Sequence, residues 1–549
     1  MTPDVLLIHP PAVKPAEPPP GVAVLLAHLS SEGIAASVID ANLEAYLFLL
    51  EEPRLAEAAG ARPGTSLRRA VNHAPRALSL LRGTAALASF PRYAAAVRDV
   101  NRALSVYRGC GGGERLTLGD YTHGALSEFE PADLERLAAG EASTLFSGYF
   151  RERMLPRVAR LDPRLIGISV NYRHQVLPAF ELAGLLARQL PRTPVVAGGG
   201  MFSAWKSAVR RHGLRFSPFS RIVAGPGEAP LSALARGDLR GDAYCLEEPS
   251  SPAFRPDYGF AEPGEYLSPV PVLPVSASRG CYWRRCLFCP EAASPTQPYA
   301  SVPAVNLPAL LRGLSQRHGA AHFHFTDDAI PVGALAAMAA RKEDLAGLSW
   351  YGFVRFERAL LDRGLAGDLA GAGCAMFQLG LESGSQAVLD RLGKGTRVDE
   401  AGAILENLKQ AGIATYVYVM LGTPGETEAD AELTLRFLEK HAAKIDYLNL
   451  ALMNLPRESG LLADPGRSGI LASSLHAGSG TLGLYRTFKP ATGWDRDAAR
   501  RFLRRRLLGS PAIRGIVRRT PPYFTSNHAF LFRTRAPAAG PRGGAHQAG

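Results

Sequence analysis

Ser278-Arg279-Gly280-Cys281-Tyr282-Trp283-Arg284-Arg285-Cys286-Leu287-Phe288-Cys289-Pro290 carries three of the six cysteines of the chain within nine residues, while Cys110, Cys245 and Cys374 stand far apart. Thiolates grouped this closely on one loop are ligands for a soft centre. A closed structural zinc site wants four ligands, whereas three suit an iron–sulfur cluster. On a four-iron cluster, three ligands leave one iron open to a small molecule. Tyr282, Trp283, Leu287 and Phe288 wrap the loop in apolar surface that keeps water off such a cluster. Two other readings stay open at this point: a zinc site completed by a distant histidine, and a disulfide with one spare thiol.

Downstream of the loop the chain alternates strands and helices. Val270–Ala277 is the strand that delivers the cysteines. His322–Phe325, ending in Thr326-Asp327-Asp328, is the next, followed by Trp350–Arg355, Met376–Glu382, Thr415–Met420 and Tyr447–Ala451. Helical patterns separate them. Six βα units in a row imply a parallel barrel or part of one, with chemistry at the carboxyl ends of the strands. The cysteine loop, Asp327, Asp328, Glu382, Ser385 and the Gly422-Thr-Pro-Gly425 turn all fall at such ends. Tyr416 and Tyr418 alternate and share one face, either barrel interior or packed against a helix. Cys374 reads as a small apolar residue before a strand.

Upstream, Asp4–Ile8, a helix over Gly21–Gly33 and Ala36–Asp40 form a βαβ unit, the start of an open parallel sheet. Leu165–Val170, a helix over Leu177–Gln189, Pro194–Gly200 and Arg221–Glu228 continue it. The stretch between has helical pattern and no clear strand, with a break at Gly111–Gly113, and reads as a helical insertion over 41–160. The fold class is therefore α/β: a doubly wound, Rossmann-like domain over 1–235, a linker over 236–268, a partial (β/α)6 TIM-type barrel over 269–460, and an extension over 461–549. In that extension Pro522–His528 reads as ordered and Ala536–Gly549 as a disordered tail.

Composition narrows the class. A length of 549 residues exceeds one core, and an apolar share of 46% supports ordinary globular packing. No apolar run reaches membrane-spanning length, and the first residues read as a strand and a proline-rich loop rather than a signal peptide. Few, half-clustered cysteines argue for reduced cytosol, so a cytoplasmic location is expected. A net charge of +12 is mild for this size and does not call for nucleic acid.

Cys281-x4-Cys286-x2-Cys289, with an aromatic residue just before the last cysteine, resembles the cluster loop of the radical SAM superfamily, with a first gap one residue longer than the commoner spacing. Gly380-Leu-Glu-Ser-Gly-Ser385 and Leu421-Gly-Thr-Pro-Gly-Glu-Thr427 resemble the fourth- and fifth-strand signatures of the same group. The resemblance is close over 269–460 and loose over 1–235. There the Pro18-Pro-Pro-Gly21 turn, Asp40-Ala-Asn42, Gly167-Ile-Ser169 and Gly198-Gly199-Gly200 resemble the cobalamin-binding domain upstream of many radical SAM modules. The Asp-x-His-x-x-Gly fingerprint that supplies a lower cobalt ligand in other corrinoid proteins is missing, and His9 is the nearest histidine.

The resemblance implies a 4Fe–4S cluster on Cys281, Cys286 and Cys289, and S-adenosylmethionine (SAM) as the second cofactor. It places Asp327 and Asp328 at the SAM amine, Glu382 and Ser385 at ribose hydroxyls or the amine, Arg355 at the methionine carboxylate and Phe288 beside the adenine. Arg355 also has a structural alternative, an ion pair with Glu357, and Asp327 another, as a helix cap. Cobalamin is implied for the N-terminal domain, with Pro11, the Pro18–Gly21 turn, Asn171 and Gly198–Gly200 converging on it. The implied activity is reductive cleavage of SAM and methyl transfer to an unactivated carbon. Alternatives are a cobalamin-free radical SAM enzyme that forms rings or crosslinks in a peptide or natural product, and a non-catalytic iron–sulfur protein. Expected partners are a small-molecule or peptide substrate and an electron donor such as flavodoxin or ferredoxin, with no nucleic acid and no membrane.

Overall fold

The computed structural model describes residues 3–61, 63–108, 113–237, 244–247, 255–293, 299–476, 480–521 and 523–532. Cys110 and the tail over 536–549 lie outside the described residues.

Strands β1 (Val5–Ile8), β2 (Ala36–Ile39), β3 (Leu165–Ser169), β4 (Val195–Gly198), β5 (Arg221–Val223) and β6 (Cys245–Leu246) form one sheet. Its order is β2-β1-β3-β4-β5-β6, with every pair parallel. The central strands are apolar throughout because helices cover both faces, so no side-chain row meets water. Strand order reverses between β1 and β3, and the carboxyl edge of the sheet opens into a cleft there. β6 lies within the stretch read as linker; two paired residues carry no periodicity that a sequence could reveal.

The insertion after β2 is mostly helical. It also contains an antiparallel hairpin, Arg115–Thr117 with Asp120–Thr122, that the expectation of no strand missed. In its two short strands only Leu116 and Tyr121 are buried, at 4% and 3% exposure, which is too little alternation to stand out. Tyr46, Tyr93, Phe146, Tyr149 and Phe150 of the insertion share one core with Ile166 and Ile168 of β3. The insertion is therefore part of the domain rather than an appendage.

The second sheet holds β7 (Val272–Val275), β8 (His322–Phe325), β9 (Ser349–Val354), β10 (Cys374–Glu382), β11 (Ala414–Leu421) and β12 (Tyr447–Leu452). All are parallel in sequential order. This is the partial (β/α)6 barrel. Outward residues Phe323, Phe325, Trp350, Phe377, Leu379, Val417 and Val419 pack under the surrounding helices. Inward residues alternate with them. At the amino end the interior is filled by residues far away in sequence. Ala529, Phe530 and Leu531 pack with Val272, Tyr351, Met376, Ala414 and Tyr447, and Phe530 stacks on Tyr351 at 4.6 Å. The Tyr447 hydroxyl donates to the Ala529 carbonyl at 2.8 Å.

The proline-rich loop after β1 reaches the same interior. Glu17 pairs with His324 at 2.8 Å and accepts from Tyr351 and Asn527. Leu455–Pro456, Ile470–Leu475 and Tyr485–Pro490 form a small antiparallel sheet beyond β12. Among the described residues no helix is long and apolar enough to cross a membrane.

Candidate active site

The chain leaves the carboxyl end of β7 into Ser278–Arg279, which pairs with Ala300–Ser301, and then enters the cysteine loop. The loop is held from outside. The Leu287 amide donates to Leu392 O at 2.9 Å, the Trp283 indole N–H to Gly393 O at 3.1 Å, and the Ser459 hydroxyl to Leu287 O at 2.7 Å. Gly395 has φ +70°, and a Cβ there would stand 2.1 Å from the Trp283 ring. Only glycine permits this approach, so the turn after Leu392 and the cysteine loop interlock.

Cys286 is buried, which pushes its thiol up, while the Lys394 and Arg355 charges pull it down. Arg355 Nη1 donates to Cys286 Sγ at 3.8 Å. None of the five cysteines among the described residues is in a disulfide, so the disulfide reading is not realised. Among the described residues no group of three or more His, Cys, Asp or Glu side chains gathers round a point as one metal ion would require. A cubane makes a different demand, since each thiolate binds its own iron. Three thiols on one loop, none in a disulfide, with two cations beside the most buried, fit such an anionic cluster.

The remaining predicted residues surround the same mouth, but two are placed differently from the expectation. The Asp327 carboxylate accepts from the Ala277 and Ser278 amides at 2.9 and 2.6 Å and from the Ser278 hydroxyl at 2.7 Å. Burial pushes this carboxyl up to about 6 against the pull of those donors. Asp327 thus clamps the exit of β7 and has its acceptors turned to the protein. Ser385 caps the helix Gln386–Arg391, accepting from Val388 N, and donates to Asp430 at 2.6 Å. Its hydroxyl is engaged locally because a Ser at this position satisfies an orphan helix amide.

Arg355 forms the ion pair with Glu357, at 2.8 Å, and donates to Lys394 O at 2.6 Å. Its guanidinium also lies 4.1 Å from the centre of the Trp283 ring. Asp328 is exposed. Glu382 sits at the end of β10 where the register with β11 shifts. It holds φ +65°, a conformation a Glu rarely adopts. Lys394 donates to Glu382 Oε1 at 2.7 Å, both side chains being largely buried, and the ammonium lies 5.9 Å from the Phe288 ring. Lys394 is the residue that sequence reasoning missed. Its signal was a lone cation between two glycines, Gly393-Lys394-Gly395.

Across from this mouth lies the cleft of the N-terminal sheet, a cavity of about 120 Å³ that opens to solvent. Its walls include Gly21, Ser169, Asn171, Gly198, Gly199, Gly200, Ser203, Gly225, Gly227, Glu228 and Arg279. Gly199 has φ +99°, and a Cβ there would stand 2.5 Å from Val170 O. Asn171 Oδ1 accepts from Gly200 N at 3.1 Å, and Ser203 Oγ from Gly225 N at 2.8 Å. These bonds hold a floor of bare backbone at the sheet edge. Pro11, Pro18 and His9 are outside the lining. His9 is buried, which pushes its imidazole down to about 3 and keeps it neutral. Arg279, two residues before Cys281, forms an ion pair with Glu228, so cleft and cysteine loop share a wall.

Residues 275–438 match the Radical SAM superfamily. An uncharacterised methyltransferase of Pyrococcus horikoshii is 22% identical over 320 residues, covering 54% of this chain and 68% of that protein. The radical S-adenosylmethionine methyltransferase TsrM of Kitasatospora setae, solved with tryptophan substrate and a SAM analogue, is similar in structure. Its TM-score is 0.54 at 16% identity, over 93% of this chain and 89% of TsrM. The cobalamin-dependent S-adenosylmethionine radical enzyme OxsB, solved with aqua-cobalamin and SAM, gives 0.59 at 13% identity, over 91% and 66% of the two chains. At such identities the likeness is one of fold.

Proposed function

We propose that this chain, whose residues 275–438 form a radical SAM domain, is a cobalamin-dependent methyltransferase acting on an unactivated carbon. The observation that carries this reading is the shared wall at Arg279: a glycine-floored cleft on one side, the cysteine loop on the other. When bound, a 4Fe–4S cluster with SAM would supply a radical able to take hydrogen from substrate, and cobalamin would supply the methyl group.

The chain's own residues divide the remaining work. Cys281, Cys286 and Cys289 hold the cluster, and Arg355 and Lys394 keep Cys286 in a cationic setting. Asp327 fixes the loop's point of departure, and Ser385 and Arg355 position rather than bind. Glu382 and Asp328 offer carboxylate acceptors to an ammonium or ribose group, and Phe288 offers a face to adenine. In the cleft, Gly21 and Gly198–Gly200 admit a flat macrocycle against the backbone, with no imidazole among the lining residues to reach cobalt. The reaction belongs in a reducing, cytoplasmic setting, with flavodoxin or ferredoxin as electron donor.

Glu382→Gln is expected to weaken SAM binding by ~1–3 kcal/mol, the scale for a charged hydrogen bond, read by equilibrium dialysis. It also removes the counter-charge of buried Lys394, so it should lower the thermal midpoint, and Lys394→Met in the same chain should restore it. The test of the overall reading is anaerobic reconstitution with hydroxocobalamin followed by gel filtration. One corrinoid retained per chain is the expected result. A corrinoid-free protein that still cleaves SAM would return the chain to the cobalamin-independent alternative.

A further inference from the structure

Along β8 to β12 the register stacks inward residues in layers. His324, Tyr351, Met376 and Ala414 make one layer, and Phe353, Gln378, Tyr416 and Tyr447 the next toward the carboxyl end. Gly380, Tyr418 and Asn449 follow. The lower layer is sealed by Ala529–Leu531. Above it, Phe353, Tyr418, Met420 and Asn449 are half-buried, while their outward neighbours Val354, Val417, Val419 and Leu448 are buried. Since these half-buried side chains point inward, the upper interior is open. It is a chamber beneath Glu382 and the cysteine loop, walled by rings: Tyr418 lies 5.0 Å from both Phe353 and Tyr416.

Gln378 stands in this wall at 3% exposure. Its Nε2 is 3.0 Å from the Tyr418 hydroxyl, and its Oε1 is buried with no partner among the described residues. A native protein rarely leaves such an atom unmet unless a ligand meets it. Burial pushes both phenols up, Tyr416 to about 12, so both hydroxyls keep their protons. If Nε2 donates to the Tyr418 oxygen, then Oε1 is a free acceptor and the Tyr418 O–H a free donor. If the amide is turned over, Tyr418 donates to Oε1, and an Nε2 hydrogen and the phenol oxygen are left. Either way the pair presents one donor and one acceptor. The charged groups above and below are already matched, Glu382 with Lys394 and Glu17 with His324.

We propose that Gln378 and Tyr418 read a neutral, flat donor–acceptor edge on the substrate, an amide or lactam group, with Phe353 and Tyr416 against its ring. This rests on the radical SAM reading of the chamber as the place where substrate meets the cluster. No covalent step is added; both residues bind and orient.

The probes are carbostyril, a bicyclic lactam, and N-methylcarbostyril, which keeps the shape and loses the N–H. Calorimetric titration of the anaerobically reconstituted full chain should give at least a roughly tenfold preference for carbostyril, because a site built to pair an N–H rejects its methylated analogue. Gln378→Leu should erase the preference while leaving SAM binding unchanged, and Tyr418→Phe should reduce it. Gln378→Met repeats the test should leucine lower the thermal midpoint. Equal affinity for the two lactams, no binding of either, or a preference that survives both Gln378 variants would overturn the proposal. Formation of 5′-deoxyadenosine, measured in parallel, reports on the radical SAM reading separately, since lactam binding requires no turnover.

Discussion

Alanine at Cys281, Cys286 or Cys289 is expected to strip the protein of most of its iron and sulfide and to abolish SAM cleavage. The loop supplies three thiolates, and among the described residues the other cysteines, Cys245 and Cys374, lie on other strands. Cys374 is buried in the barrel's outer core, and Cys245 lies on the edge strand of the other sheet. A triple Cys110→Ala, Cys245→Ala, Cys374→Ala variant should therefore keep the brown chromophore and the activity. Iron and sulfide analysis after anaerobic reconstitution reads the result. Loss of the cluster from the triple variant would show that the ligands are elsewhere.

The second large effect concerns the N-terminal cleft. Gly21 lies in the first turn of the helix Pro20–Ser31 and lines the cleft. The nearest atom a Cβ there would meet is Ser169 Oγ at 3.9 Å, an ordinary contact. Gly21→Ala should therefore change little. Gly21→Phe puts a ring into space where a macrocycle would lie, without straining the backbone, and should reduce corrinoid affinity by roughly a hundredfold, about 2.7 kcal/mol. The cluster and the thermal midpoint should stay as in the parent chain. Corrinoid absorbance after gel filtration is the readout, and retention by Gly21→Phe equal to that of Gly21→Ala would place the corrinoid elsewhere.

Much of this architecture was legible in the sequence because its signals are local. Leu165–Ser169 and Val195–Gly198 are short, mainly apolar runs, the second ending in a glycine turn, and the cysteine loop announces its chemistry by residue type and spacing. What stayed hidden is held together by contacts distant in the chain. Ala529–Leu531 seal a barrel whose last strand ends at Leu452, and nothing in Ala529-Phe530-Leu531 distinguishes a plug from an ordinary helix face. Asp327 falls where the resemblance places a residue for the SAM amine, yet its acceptors are used by Ala277 and Ser278 on the neighbouring strand's exit. Lys394 was passed over since a lone lysine is usually solvated. Its burial follows from Gly395 fitting against Trp283, more than a hundred residues earlier.

Whether the cysteine loop and the barrel mouth together split SAM is read directly from the products. The anaerobically reconstituted protein is incubated with dithionite and SAM, and the products are separated chromatographically. 5′-Deoxyadenosine is expected from the parent chain and none from the Cys286→Ala variant. SAM recovered intact from a parent chain that carries its full complement of iron and sulfide would contradict it.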